Sequence, residues 1–420
     1  MKKVTITNAY TWYNKGDAGI LLGIVETLKK IYKKEIEVTV LSFTPEEDKK
    51  RYCQDNVIQN VYSNVLNPHP YQHTKIGKIF AIIKLFFQMI YQFMLIHINP
   101  QRLVKKYENY HALSECDYII VCGGGFLGGK KFDSFMHLFQ IYINTKFNKK
   151  TIVMGTSIEP IGNQIIKKMT ERILKKVDFI IARETITFHY LKEFMPLEKI
   201  DLVPDMAFML EDKIRIDKKI KKQKETYGNI YGLTVRAWNF PNTKNPTLQM
   251  NNYMNAIVEV ISNHARTNND LFIFVPQVMV AHGNDAEVAK KIQKLLPADI
   301  HDHFIIIEDD LSPVEIKSLI GNMDYFIGTR MHSNIFATSM KIPTIAIAYE
   351  KKTNGIMETV GLSNFVVEID DITAEKLQKK IDNCIENRKQ IVQLLEKEIP
   401  LIRQKIQTKI EKIVGEEENK

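Results

Sequence analysis

The chain has 420 residues, of which 45% are apolar and 25% charged. That length suits two domains of ordinary size, and that composition excludes disordered, collagen-like and coiled-coil chains. Lys and Arg number 58 against 49 Asp and Glu, so the formal charge is 58 − 49 = +9. Such a balance suits nucleic acid, acidic lipid or an anionic substrate without choosing among them. The four cysteines, Cys53, Cys116, Cys122 and Cys384, form no CxxC pair. Neither a zinc ribbon nor a disulfide framework is expected, and a reducing, cytoplasmic setting is. The start MKKVTITNAY carries no apolar h-region, so no secretory signal is expected there.

In chain order, the Val- and Ile-rich runs predict strands at Val4–Thr7, Val38–Ser42, Tyr118–Cys122, Ile152–Gly155 and Phe179–Ala182. A second series falls at Tyr231–Val235, Leu271–Val275, Phe304–Ile307, Tyr325–Ile327, Thr344–Ala348 and Phe365–Glu368. Helical patterns alternate with them, so the fold class is α/β, with parallel sheets covered on both faces. The basic segment Glu211–Lys224 separates the two series and reads as a solvated linker or exposed helix. The expected organisation is a first Rossmann-like domain over 1–210, a linker over 211–227, a second Rossmann-like domain over 228–371 and a helical tail over 372–420.

Residues 79–98 are apolar over a bilayer's length but are interrupted by Lys84, Gln88 and Gln92 at i, i+4, i+8. That stripe marks a helix; a buried packing helix is expected ahead of an interfacial one, and a membrane span is disfavoured because strands of one domain lie on both sides of the segment. The charge is unevenly placed. Residues 75–106 carry six basic and no acidic side chains, and the linker 211–224 gives 7 − 3 = +4, so the remaining 374 residues sum to 9 − 10 = −1. The basic balance is therefore a collar, and peripheral contact of 75–106 with an anionic membrane is an expectation.

In open α/β sheets ligands bind outside the carboxyl ends of the strands, so the polar residues just after strands matter most. After the first strand come Asn8, then Gly16 and Asp17, with Asp17 a plausible helix N-cap. The run Gly123–Gly129 follows the third strand and could present backbone amides to a ligand or serve close strand–helix packing. It matches neither GxGxxG nor a GxxxxGK[ST] loop, so NAD and ATP are unsupported. Ser157, Arg183 and Asp205 stand at three further strand ends. In the second series Arg236, Gln277, Arg330-Met-His332-Ser333-Asn334 and Tyr349-Glu-Lys-Lys352 each follow a strand. Arg330 and His332 open a helix, where free N–H groups and the dipole favour an anion. Gathering Arg236, Arg330 and Lys352 is costly unless an anion neutralises them. Asp309-Asp310 precedes Ser312-Pro313 and reads as a helix start rather than a metal site.

Taken in order, Asn8…Gly16-Asp17, Gly123-Gly-Gly125, Gly155-Thr-Ser157, Ala182-Arg183-Glu184, Pro204-Asp205, Arg236, Pro276-Gln277, Arg330-Met-His332 and Tyr349-Glu-Lys-Lys352-x-x-Gly355 resemble the polysaccharide pyruvyl transferase family over about residues 1–365. The resemblance implies a GT-B-like fold, with two doubly wound Rossmann-type domains facing a cleft and a helical C-terminal tail. It also implies transfer of a pyruvyl group from phosphoenolpyruvate to sugar hydroxyls of a bacterial capsule, cell-wall or exopolysaccharide glycan, or of its lipid-linked precursor. On that reading Arg330 and His332 are catalytic. Arg236, Arg330, Lys352, Ser333, Asn334 and Gln277 bind phosphoenolpyruvate. Asn8, Gly16, Asp17, Gly124, Gly125, Ser157, Arg183 and Asp205 hold the acceptor. No metal or cofactor is called for beyond the donor substrate, and no nucleic-acid signature is present. The rival readings are a nucleotide-sugar glycosyltransferase and a non-catalytic protein of polysaccharide assembly. The expected location is cytoplasmic or peripheral on the inner face of the plasma membrane.

Overall fold

Strands that are apolar on both faces persist only where helices cover both sides of a sheet. The computed structural model describes residues 1–33, 35–52, 56–61, 75–128, 132–213, 218–280 and 284–415, and it contains two such sheets. The first holds β1 (Lys2–Ala9), β2 (Ile36–Ser42), β3 (Val57–Gln59), β4 (Tyr118–Gly128), β5 (Lys150–Glu159), β6 (Phe179–Ala182) and β7 (Ile200–Leu202) in the order 3-2-1-4-5-6-7. The second holds β8 (Ile230–Thr234), β9 (Leu271–Phe274), β10 (Phe304–Ile306), β11 (Tyr325–Gly328), β12 (Thr344–Ala348) and β13 (Val366–Glu368) in the order 10-9-8-11-12-13. Every pairing is parallel. Each sheet therefore reverses direction of growth between its first and fourth strands, the doubly wound arrangement expected of the sequence. The eleven predicted strands all fall on strands of these sheets. The two that were not predicted, β3 and β7, are three-residue edge strands, too short to show a period.

The chain divides into two units. One comprises Met1–Trp12, Ile20–Met209 and Lys405–Lys420, and the other Tyr13–Gly19 and Leu210–Gln404. Two segments cross the expected domain bounds. Tyr13–Gly19 groups with the second unit although it follows the first strand. The end of the C-terminal helix Arg388–Gly415 groups with the first, where the Val414 carbonyl accepts from Tyr118 Oη (2.9 Å) and the Ile413 carbonyl from Lys150 Nζ (2.7 Å).

The glycine run is not a loop. Gly123 to Gly128 lie within β4, and a Cβ at Gly123 would come within 2.1 Å of the Met154 carbonyl on β5. Glycine is required there because the two backbones approach too closely for a side chain. Gly129 and Cys53 lie outside the described residues; Cys116, Cys122 and Cys384 are buried and form no disulfide among the described residues. Ser312 caps the helix Pro313–Ile320 through a complete capping box with Glu315, as the Ser-Pro signal predicts.

Among the described residues of the expected linker only Ile220 is buried, as an exposed helix requires. Residues 214–217 lie outside the described residues, and Lys218–Thr226 is helical. Asp212 is an anchor within the second unit, gripped through both oxygens by Arg403 (2.6 and 2.7 Å) and reached by the buried Lys317 Nζ at 2.7 Å. Burial opposes ionisation of Asp212, but these cations outweigh it and hold the carboxyl at about 2, below its usual value of 3.8. A depressed carboxyl stabilises the fold fully above its ordinary pKa, and that stability drains away as pH falls from about 4 through about 2. The shift corresponds to about 2 kcal/mol. Acid titration of the circular dichroism signal should show Asp212→Asn less stable at neutral pH and with a flatter loss across that window. An unchanged slope would show that Asp212 carries no linkage.

Candidate active site

The second sheet changes direction between β8 and β11, which puts the crevice at their carboxyl ends. Thr234, the last residue of β8, ties that point together. Its hydroxyl oxygen accepts from Thr329 N (3.0 Å) and lies 2.9 Å from Ser333 Oγ, which donates to the Arg330 carbonyl at 2.6 Å. Arg330 is the N-cap of the helix Met331–Ser339. The amides of Ser333 and Asn334 both donate to its carbonyl (3.1 and 3.3 Å), and Asn334 Nδ2 donates to the Gly328 carbonyl at 3.1 Å. These groups hold the turn. Ser333 and Asn334 were expected to offer amides to an anion, but a tight first turn uses both, and the first-turn positions ahead of them are Met331 and His332.

Arg330 is largely buried, and a residue that the sequence did not point to fixes it. Asp285, buried at the start of the helix Asp285–Leu295, accepts from Arg330 Nε at 3.1 and 3.2 Å and from a terminal nitrogen at 2.5 Å. Burial works against the guanidinium charge, yet the Asp285 carboxylate outweighs it and raises Arg330 above its ordinary range. Asp285 lies within electrostatic reach of Arg236 as well. Arg236, half-buried after β8, stacks over Tyr349 (4.0 Å) and Trp238 (4.9 Å), and Lys352 Nζ lies 6.0 Å from the same Tyr349 ring. Lys352 is paired with Glu350. Arg236 and Lys352 share the Tyr349 ring, and Asp285, which binds Arg330, also faces Arg236, so the three cations come with two carboxylates and the formal charge is 3 − 2 = +1 rather than +3. Arg330 and Lys352 come with their own counter-ions; Arg236 rests on aromatic faces and donates Nε to the Ala237 carbonyl.

Gln277 is buried at the end of β9, and both ends of its side-chain amide lack a hydrogen-bond partner. Thr353, in the first turn of the helix Lys351–Thr359, has a buried hydroxyl in the same condition. A buried amide left unbonded costs about 1–3 kcal/mol per group, so these positions are those that a ligand would complete.

The segment Tyr13–Gly19 packs against these residues of the second unit. It is sewn to the loop after β9: Lys15 N donates to the Gln277 carbonyl (2.9 Å), Met279 N to the Tyr13 carbonyl (2.9 Å), and Asn14 bridges Val278. Lys15 is fully buried, with Nζ 2.5 Å from Asp310. Gly16 lies against His332, where a Cβ would sit 2.1 Å from Nδ1. Asp17 is not the N-cap. The helix Lys15–Ile31 starts earlier, and Asn14 Nδ2 donates to Asp17 Oδ2 (2.5 Å) while Asn14 Oδ1 accepts from Asp17 N (3.4 Å).

In the first unit the remaining predicted residues divide. Ser157, Arg183 and Asp205 form a closed buried chain: Arg183 Nε donates to Ser157 Oγ (2.7 Å) and a terminal nitrogen to Asp205 Oδ2 (2.6 Å), while Asp205 Oδ1 accepts from Ala207 N (2.8 Å). This network satisfies itself and braces the ends of β5 and β6. Gly124 pairs with Thr156 of β5, and Gly125 continues the same strand. Asn8 differs. It adopts φ +60°, its Nδ2 donates to the His137 carbonyl (3.1 Å) and lies 3.0 Å from His137 Nδ1, and its buried Oδ1 has no partner. Burial drops His137 to about 3, so its ring is neutral and accepts from Asn8; Phe126 stacks on it at 4.1 Å. Asp48, buried nearby in sequence to β2, accepts from Trp12 N and Ser42 Oγ, and burial lifts its carboxyl to about 6. Neither His137 nor Asp48 follows a strand directly, so the strand-end rule passed over both.

The family model described as polysaccharide pyruvyl transferase matches residues 14–351. The chain is 20% identical to the amylovoran biosynthesis protein AmsJ of Erwinia amylovora, covering 93% of this chain and 94% of that protein. Among solved structures it is similar to a putative UDP-N-acetylglucosamine 2-epimerase from Listeria monocytogenes (TM-score 0.60, 12% identity, 97% and 94% of the two chains). It is also similar to a UDP-GlcNAc 2-epimerase from Neisseria meningitidis bound to UDP-GlcNAc (0.58, 13%, 99% and 100%). A third is Anabaena Alr3699/HepE in complex with UDP and glucose (0.57, 11%, 99% and 100%). At these identities the structures show a common fold.

Two substitutions test the geometry. Gly16→Ala should displace His332 and cut turnover about a hundredfold, the scale of a 1 Å misplacement at a reacting group, while the melting temperature moves little. Asp285→Ala leaves Arg330 buried without its carboxylate and should cost about 3–5 kcal/mol in urea denaturation. A neutral result for Asp285→Ala would show that the pair does not hold the site.

Proposed function

The chain belongs to the polysaccharide pyruvyl transferase family, and on that premise we propose that it moves the pyruvyl group of phosphoenolpyruvate onto two hydroxyls of a glycan sugar as a cyclic ketal. The acceptor is a surface polysaccharide or its lipid-linked precursor. The observation that carries the donor assignment is Gln277: a buried amide with both ends unbonded, at the carboxyl end of a strand in the same unit as Arg330, Arg236 and Lys352. A small, dianionic-to-trianionic donor with phosphate and carboxylate oxygens fits a site that has cations held in place and neutral donors left over.

In this mechanism Arg330, fixed by Asp285, and Arg236, fixed on Tyr349, bind the two anionic groups, and Gln277 and Lys352 complete the shell. A first sugar hydroxyl adds to C2 of phosphoenolpyruvate, losing its proton, while the methylene carbon gains one and becomes a methyl group. His332, at the helix start against Gly16, supplies that proton as general acid. The C2–O bond to phosphate then breaks, the pair of electrons leaving with inorganic phosphate. A second hydroxyl adds to C2 and loses its proton, closing the ketal.

The assay is incubation of the protein with phosphoenolpyruvate and glycan precursors from its own host. Phosphate release should match a glycan mass gain of one pyruvyl ketal. His332→Ala should abolish both while the protein remains folded. Arg236→Ala should raise KM for phosphoenolpyruvate at least about tenfold, the scale of one lost charge-assisted hydrogen-bonded pair. Thermal stabilisation by UDP-sugars with no response to phosphoenolpyruvate would instead assign a nucleotide-sugar activity.

A further inference from the structure

The polar stripe of the helix Lys75–Ile98 in the first unit is split: Lys84 is exposed, Gln88 half-buried and Gln92 buried. Leu85, Met89, Gln92 and Ile96, spaced i, i+4, i+7, i+11, form its buried stripe. Gln92 sits in that core because both ends of its amide are satisfied, Nε2 donating to the Val61 carbonyl (3.0 Å) and Oε1 accepting from Tyr110 Oη (2.8 Å). With a polar residue turned inward, the opposite face is left apolar and outside. Phe80, Ile83, Phe86, Phe87, Ile90 and Met94 are all exposed, Phe80 by 68% and Phe87 by 65%. Scattered exposed apolar residues are ordinary, but a continuous face of large ones on a single helix marks an interaction surface.

The rim of this face is cationic. Lys84, Arg102, Lys105 and Lys106 are exposed, and no Asp or Glu occurs between residues 75 and 106. Lys106 Nζ lies over the rings of Tyr91 and Tyr107 (5.3 and 5.1 Å). Phe93 stacks on Tyr142 at 5.6 Å, and Lys146 and Lys176 lie over that same ring at 4.9 and 5.7 Å. A helix with one stripe in the protein core and large apolar side chains on the other side, edged by Lys and Arg, has the composition of an in-plane interfacial helix. It does not span: its buried stripe belongs to the core, and among the described residues no helix is long and apolar enough to cross a membrane.

We propose that the outer face of the Lys75–Ile98 helix docks the protein on an anionic lipid surface, its apolar side chains entering the headgroup–acyl boundary and the Lys and Arg rim facing lipid phosphates. The charge selects the partner. A second copy of this chain would bring the same cationic rim against itself, whereas anionic lipid neutralises it.

The test is flotation of the full chain with vesicles of phosphatidylcholine alone and of phosphatidylcholine with phosphatidylglycerol. No phosphoenolpyruvate or glycan is present, so failure here is distinct from failure of the proposed activity. The wild type should float with the anionic vesicles and not with the neutral ones, and added salt should weaken binding. Combined Phe86→Ser, Phe87→Ser and Met94→Ser should keep the wild-type melting temperature and lower the bound fraction about tenfold or more, as should Lys105→Glu with Lys106→Glu. If the triple variant melts early, Phe87→Ser alone is read in its place. Wild type that stays with the unbound fraction, or apolar-face variants that float as well as wild type, would overturn the proposal. So would a lipid-free dimer that the triple variant dissociates, which would assign the face to a second copy.

Discussion

The second unit is organised around one buried carboxylate. Asp285 receives Arg330 on one side, and on the other its Oδ2 accepts from Val278 N at 3.0 Å. Its own amide donates back to the Val278 carbonyl at 3.0 Å. Val278 in turn bridges Asn14, and the neighbouring Gln277 carbonyl accepts from Lys15 N, so the Tyr13–Gly19 segment is positioned from the same point. That segment brings Gly16 against His332. A guanidinium, a histidine and an unbonded amide are thus held by one chain of contacts that starts at a charge with no access to water. Removing such a charge leaves its partner buried and unpaired, which is why the whole arrangement should respond to one substitution.

The first unit puts its predicted residues to a different use. Its strand ends carry polar residues as well, but Ser157, Arg183 and Asp205 satisfy one another, and the glycines let β4 and β5 approach. Asn8 alone among the predicted residues there keeps a buried polar atom without a partner. It does so in a left-handed backbone conformation at the irregular end of β1, the kind of strain that is retained at functional positions.

Surface and site obey one rule in opposite senses. Gln92 is buried because its amide is fully bonded, and its inward turn forces the apolar side of the helix outward. Gln277 is buried with its amide unbonded, and that points to a ligand. Polarity alone predicts neither case; hydrogen-bond completion decides both.

Periodicity and composition in the sequence determined the two parallel sheets, the order of the elements and the strand ends where chemistry collects, because those depend on local residue patterns and on the geometry of doubly wound sheets. The Arg330–His332 helix start and the Ser312 cap are likewise local, and were legible. The tertiary structure decided which residues act as counter-ions, which segment supports His332 and which side of the Lys75–Ile98 helix faces out. Asp285 lies 45 positions from Arg330, Lys15 lies 295 from Asp310, and Gln92 lies 31 from Val61. Pairings at such separations are set by the packing of whole elements, and no local pattern records them.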